Sequence, residues 1–402
     1  MKSKDNAKRR ILIIIEGITV GGTSASLLNL LTAMKSYSDI DLTVGLINIE
    51  QKDKLPSFVK VLNLDVFKRK KETKLKNVLF KLRAGLFARI NLKVFKTFNR
   101  DKNSFKKIPL NQKLELKEAL AQKKINLKGK YDVVISWVEM YTNYLLAYKI
   151  EADKKIAWIH PHYEQAGFSK KIDGKMIEKV DKVIAVSREG KQSLIRSFPD
   201  SAYKFGYVYN KFIVDDIVNK SKSDEVIFDN AVLNIVSLSR IQNISKGFDR
   251  SVPVMKKLRD DGFKFKWRII GYGEDVELVK SLIKDNALEN EIELITTVKN
   301  PYPYVACSDL FFLGSYYEGL PMVVSEAMIL KTPCIVTDYA SSREQIISEE
   351  TGFIVENSSD GIYQGLLDVF SNPQKLFKVK ENLKKLNNEN YSECKDFIAL
   401  LN

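Results

Sequence analysis

Apolar and polar positions along the chain repeat one unit: an unbroken apolar run bounded by charges, a polar turn, and then a segment with helical spacing. Ile11-Leu-Ile-Ile-Ile15 is the first run, and Glu16 ends it after five residues. A run without alternation is the mark of a parallel strand covered on both faces. The helix after it carries Leu27, Leu28, Leu31 and Met34 on one side. Further strands are expected at Leu42 to Ile47, Tyr131 to Ser136, Lys155 to Ile159 and Lys182 to Ser187. Near Tyr207-Val-Tyr-Asn210 the pattern restarts, with runs at Leu233 to Ser239, Trp267 to Ile270, Ile292 to Ile295, Asp309 to Gly314, Cys334 to Thr337 and Gly352 to Val355. Strands alternating with helices predict an α/β architecture of doubly wound parallel sheets. At 402 residues the chain is too long for one ordinary core. The expected division is 1–205 for a first domain, 206–385 for a second and 386–402 for a closing helix.

Charge changes this outline in one place. The chain carries a net +15, but residues 68–130 hold 21 Lys and Arg against 4 Asp and Glu, while the remainder holds 44 and 46. The basicity is therefore confined to an insertion in the first domain. Around residues 77–98 apolar positions recur at helical spacing, with Lys81, Arg83, Arg89 and Lys93 among the residues between them. Such a helix fits an anionic lipid surface, each basic residue contributing about 1 kcal/mol near the headgroups. An ordinary helix with a solvated basic face is the reading beside it. Nucleic acid is not expected as a partner, because no recognised nucleic-acid module accompanies the stretch. Cys307, Cys334 and Cys394 lack disulfide or zinc spacing and read as reduced core residues of an intracellular protein. No segment approaches the length that spans a bilayer. A cytoplasmic protein, peripheral on the inner face of the membrane, is the expectation. Asp39-Ile-Asp41 spells D-x-D at the entry to a strand and reads as a turn, so no metal is expected.

Candidate chemistry gathers at strand ends. The strand Asp309 to Gly314 runs into Glu318-Gly-Leu-Pro-Met-Val-Val-Ser-Glu326, with one carboxylate in a turn and a second eight residues later on a helix. Strand end, loop and helix N-terminus form the place where an open α/β sheet binds a phosphorylated ligand. Carboxylates there would repel a bare phosphate, so they are read as acceptors for sugar hydroxyls. Arg240 and Lys246 follow the strand Leu233 to Ser239, where a bidentate fork and a point charge suit a diphosphate. His160 and His162, the two histidines of the chain, stand just past Ile159. A structural role and a ligand role are both open for them. Gly21-Gly22 lies in the first strand-to-helix turn, where backbone can approach a ligand closely. It is not a P-loop, because Thr23 stands where the phosphate-binding Lys must be. Gly271-Tyr-Gly273 starts like a dinucleotide fingerprint, but Val276 occupies its third glycine position.

Taken as one string with Thr332-Pro-Cys-Ile-Val-Thr and Arg343-Glu-Gln-Ile, the stretch around Glu318 resembles the paired-glutamate (E-x7-E) signature of the retaining nucleotide-sugar glycosyltransferases of the GT-B fold. The resemblance is dense over 232–356, weak over 11–210 and silent over 60–130. It implies two Rossmann-like domains facing across a cleft, with the helix near Tyr391 to Leu401 crossing back to the first. It implies that Glu318 meets the donor sugar, Glu326 the ribose and His160 the donor sugar from the other side. Arg240 and Lys246 would neutralise the leaving diphosphate. Gly271, Gly273, Asn300, Pro301, Gly319, Leu320 and Pro321 would surround the nucleotide, and Gly21 and Gly22 the acceptor and donor phosphates. The chain departs from the family at Thr23-Ser24, at Asn300-Pro-Tyr-Pro303, and at Lys331, Ala340 and Ser341, where glycine is preferred. The implied activity is transfer of a sugar from a nucleoside-diphosphate sugar, a UDP-sugar first among them, to a glycan or lipid-linked acceptor in bacterial surface polysaccharide assembly. No cofactor is implied, since the donor is a substrate. A GT-B epimerase and a non-catalytic partner of another transferase are the alternatives.

Overall fold

The computed structural model describes residues 8–19, 21–64, 110–122, 125, 127, 129–223, 226–229, 231–388 and 391–401. Lys81, Arg83, Arg89 and Lys93, expected at a membrane surface, lie outside the described residues.

Seven parallel strands make the first sheet: β1 (Arg9–Ile15), β2 (Ile40–Leu46), β3 (Lys60–Asn63), β4 (Val133–Ser136), β5 (Lys154–Ile159), β6 (Lys182–Ala185) and β7 (Phe205–Tyr207). Their spatial order is β3-β2-β1-β4-β5-β6-β7. Six more make the second: β8 (Leu233–Leu238), β9 (Phe265–Ile270), β10 (Ile292–Ile295), β11 (Leu310–Leu313), β12 (Cys334–Thr337) and β13 (Phe353–Val355), in the order β10-β9-β8-β11-β12-β13. Each sheet reverses its strand order once, between β1 and β4 and between β8 and β11. At such a reversal the connections leave toward opposite faces, and a crevice opens at the carboxyl ends of the strands.

The unbroken apolar run of β1 has a direct cause. Ile11, Ile13 and Ile15 pack on one face with Leu27, Leu30 and Leu31, while Leu12 and Ile14 pack on the other with Tyr144 and Leu145. Each such side chain contributes about 1.5–3 kcal/mol on burial. The helix Gly22–Ala33 buries Leu30 fully and Leu28 only in part, and Ser24 and Ser26 share its buried stripe. Ser26 is accommodated because its hydroxyl donates to Thr23 O at 2.9 Å.

Two expectations need correction. The boundary set at 205 falls inside β7, where Phe205 pairs with Val183, so the first sheet extends to Tyr207. An edge strand of three residues is too short to show a period, and it read as the restart of the pattern. Cys307 is exposed at the end of the helix Tyr302–Cys307, whereas Cys334 and Cys394 are buried and all three are free thiols.

The closing helix Lys395–Leu401 lies against the first sheet. Phe397 and Leu401 join the core of Ile11 and Leu27, and the Phe397 ring centroid is 6.1 Å from that of Trp158. Lys211 Nζ pairs with Asp396 at 2.8 Å, and Lys154 Nζ donates to Leu400 O at 3.0 Å. Among the described residues no helix is long and apolar enough to cross a membrane.

Candidate active site

The strand-order reversal of the second sheet supplies one wall. After β8 the chain passes through Ser239-Arg240-Ile241 into a one-turn helix, Asn243–Lys246, and then the helix Phe248–Asp260. After β11 it passes through Gly314 and Ser315 to Glu318. These neighbouring loops bring Lys246 Nζ to 2.5 Å from Glu318 Oε1, and Ser315 Oγ donates to the same oxygen at 2.6 Å. Both charged side chains are largely shielded, 16% and 13% exposed. A pair in that setting is held by Coulomb attraction at reduced dielectric, and removing either partner strands the other charge.

The loops are fixed from beneath. Tyr316 N donates to Ser245 O at 2.7 Å, and Thr337 Oγ1 to Ser315 O at 2.5 Å. Arg250, buried, donates to Gly314 O at 2.8 Å and to Asn357 Oδ1 at 2.6 Å, with its guanidinium 3.9 Å from the Tyr316 ring centroid. A cation in this role carries no motif, and sequence reading missed it.

Arg240 is not beside Lys246's partner. Its side chain is 62% exposed and pairs with Glu274 at 3.1 Å, while Gln242 Nε2 donates to the other oxygen of Glu274 at 2.7 Å. The two cations expected on one diphosphate thus have separate carboxylates here. Gly271 and Gly273 serve the same loop: a Cβ at 271 would lie 1.8 Å from Ser239 O, and one at 273 would lie 2.1 Å from Ile241 O. Close backbone approach under Arg240 therefore requires both glycines.

Glu326 lies on the helix Met322–Ile329, 7% exposed, with the Tyr302 hydroxyl donating to its Oε1 at 3.2 Å. Burial pushes its carboxyl up to about 7, against the opposing pull of that hydrogen bond. Asn300 is occupied elsewhere, its amide donating to Lys220 O at 2.7 Å and Ser223 Oγ at 2.9 Å. Pro301 caps the helix Tyr302–Cys307.

The first sheet supplies the facing wall. His160 follows β5, its ring Nε2 donating to Trp137 O at 2.8 Å and its backbone N–H to Glu139 Oε2 at 3.3 Å. Burial lowers its pKa, so the ring is neutral. A Cβ at residue 319 would lie 1.9 Å from His160 O, so glycine there lets the Glu318–Pro321 loop touch the opposite wall. Ser187 Oγ donates to Gly319 O at 3.1 Å, and Leu320 packs on the first-domain core. Gln345 Nε2 donates to Pro321 O at 3.0 Å. Trp137 Nε1 donates to Thr23 O at 3.1 Å, which holds the Gly21-Gly22 turn. Gly22 faces Met322 and Gly21 faces the Tyr272 hydroxyl, each about 4 Å from a would-be Cβ. His162 belongs to another environment: it is buried, with Nε2 3.6 Å from Glu189 Oε1. Among the described residues no three His, Cys, Asp or Glu side chains gather as metal ligands.

So the structure brings Lys246, Glu318, Gly319 and His160 to one place. It sets Arg240 on Glu274 and Glu326 within the adjoining helix against Tyr302.

Residues 221–386 match the family model described as glycosyl transferases group 1. The chain is 26% identical over 219 residues to the N-acetylgalactosamine-N,N'-diacetylbacillosaminyl-diphospho-undecaprenol 4-alpha-N-acetylgalactosaminyltransferase of Campylobacter jejuni, covering 54% of this chain and 58% of that protein. It is 25% identical over 198 residues to the amylovoran biosynthesis glycosyltransferase AmsD of Erwinia amylovora, 49% of this chain and 54% of that one. The chain spans about half the length of the curated relatives it matches. In fold it is similar to Anabaena HepE in complex with UDP-glucose, with a TM-score of 0.65 at 15% identity over 98% of both chains. Two facing parallel sheets of seven and six strands are the GT-B arrangement.

Proposed function

Through residues 221–386 the chain belongs to the group 1 glycosyl transferases, and from that premise we propose that it transfers a hexosyl-type sugar from a UDP-sugar to a glycan or lipid-linked acceptor with retention of configuration. The observation that carries this reading is the shielded Lys246–Glu318 pair, held by Gly319 against His160 of the other wall. One cation and one carboxylate in contact match the two ends of the bond to be broken. The diphosphate takes Lys246, and the freed Glu318 accepts hydrogen bonds from the sugar hydroxyls.

As the C–O bond to the donor phosphate breaks, charge grows on the diphosphate and Lys246 meets it without reorganisation. Arg240 exchanges Glu274 for the same phosphates from the rim. Glu326 accepts from the ribose, and neutral His160 lines the sugar from the first domain. The acceptor enters beside Gly21 and Gly22, and the departing phosphate takes its proton, so neither Glu318 nor Glu326 forms a covalent intermediate. This chemistry calls for no cofactor besides the donor. The Campylobacter relative's name specifies a diphospho-undecaprenol-linked acceptor and the Erwinia relative's names amylovoran biosynthesis, which supports glycan assembly as the setting. A lipid-linked acceptor gives the basic stretch around Lys81, Arg83, Arg89 and Lys93 its role, docking the enzyme on the anionic inner face of the membrane.

Thermal shift against a series of nucleoside diphosphates and their sugars tests the donor. A ligand at a hundred times its dissociation constant adds about 2.7 kcal/mol. UDP is expected to raise Tm, and no shift with any nucleotide overturns the reading. Donor consumed without acceptor, with free sugar released, would mark an epimerase instead.

A further inference from the structure

One carboxylate spans the cleft away from the reacting atoms. Glu344 belongs to the one-turn helix Ser342–Gln345 of the second domain, yet its partners lie in the first domain and the connection between the two. Its Oε2 accepts from Arg188 N at 2.8 Å and from the Tyr209 hydroxyl at 2.8 Å, and its Oε1 accepts from Glu189 N at 2.7 Å. Arg188 and Glu189 open the helix Arg188–Ser197, and Ser187, its N-cap, accepts from Gly190 N at 2.9 Å. Glu344 therefore supplies the remaining acceptors of the first helical turn, where the helix dipole favours negative charge. The neighbouring residue grips the catalytic loop: Gln345 Nε2 donates to Pro321 O at 3.0 Å and to Ser325 Oγ at 2.8 Å. Ser187 completes the circuit by donating to Gly319 O at 3.1 Å. A rigid path thus runs from the first-domain helix, through Glu344 and Gln345, to the turn that presents Glu318.

We propose that Glu344 is a positioning residue: seated on the N-terminus of Arg188–Ser197, it sets the separation of the two walls and so aims Glu318 across the cleft. The closure stands on geometry alone, while its kinetic consequence rests on the donor site proposed above. Glu344 touches no reacting atom in this scheme. Its loss acts by lowering the population of closed molecules, which appears as weaker donor affinity with turnover largely kept.

The test compares the full chain with Glu344→Ala and Glu344→Gln. Its three readouts are small-angle scattering without ligand, amide exchange at Arg188 and Glu189, and steady-state kinetics. Glu344→Ala is expected to enlarge the radius of gyration, to speed exchange of both amides, and to raise donor KM about tenfold with kcat changed less than about threefold. Glu344→Gln, keeping one acceptor oxygen and no charge, falls between, and it carries all three readouts if the alanine variant does not fold. An unchanged scattering curve and KM, with only the two amides exchanging faster, would reduce Glu344 to a local helix cap and overturn the proposal. If the unmodified chain turns over no nucleotide sugar, the functional reading fails by itself, and scattering still decides whether Glu344 holds the cleft shut.

Discussion

The two walls of the cleft occupy the same topological position in sheets of the same kind, and they differ in nearly every chemical respect. Beyond β8, β9 and β11 stand Lys246, Arg240, Glu274 and Glu318, with Arg250 beneath. Beyond β1, β4 and β5 stand Gly21, Gly22, Trp137 and a neutral His160. A strand-order reversal provides a crevice and does not decide what it holds; the loops do. Charges concentrated on one side suit a ligand whose charge changes during reaction. The wall opposite offers a neutral imidazole, an indole and close backbone, with the Glu139 carboxylate occupied by the His160 N–H.

That contrast can be broken most severely at Lys246. Lys246→Ala is expected to lower kcat/KM by about 10²–10³, the scale of removing one preorganised charge-stabilising donor. His160→Ala, which deletes a neutral ring from the facing wall, costs about tenfold in the same assay. Equal losses would erase the distinction between the walls.

Gly319→Ala probes the contact itself. A methyl group pressed onto His160 O amounts to overpacking, costing about 1–3 kcal/mol. Calorimetry should show Tm lowered by roughly 2–10 °C, while the same change at Gly167, which faces open space but has φ +72°, reports backbone strain alone.

A milder effect comes from Glu326. Its folded-state carboxyl, raised to about 7 by burial, keeps its proton where the unfolded chain has lost it. This group's contribution to stability is therefore full below the ordinary carboxylate range and declines as pH rises toward 7. Urea midpoints at pH 5 and pH 7.5 should fall further for the unmodified protein than for Glu326→Gln. If Glu326 accepts from the ribose as proposed, UDP should bind more tightly as pH rises over the same interval.

The smallest change belongs to the rim. Arg240 and Glu274 are about half exposed, so Glu274→Gln should alter stability by less than about 0.5 kcal/mol. Donor KM should shift by less than about threefold at low salt and not at all at high salt.

Much of this arrangement is legible in the amino-acid sequence. β1, β5 and β11 announce themselves because strands buried on both faces are apolar without alternation, as Ile11 to Ile15 is. Lys246 and Glu318 each stand out in the sequence at a strand end, but their contact with one another was not expected, since Lys246 was paired there with Arg240. Arg250, Tyr302 and Glu344 do not stand out. Their partners lie 64, 24 and about 155 residues away, and no local spacing encodes such contacts. Arg240 was assigned correctly to a loop but not to Glu274, since two carboxylates competing for one cation are resolved only by side-chain reach. β7 was read as a beginning when it is an edge.

Because Lys395–Leu401 is bedded in the first core, the polypeptide passes between the lobes twice, once after Tyr207 and once before Cys394. A single tether leaves two bodies free to swivel; a two-ply strap resists that twisting. Cutting either ply should therefore loosen the register between the Glu318 turn and the wall that carries His160.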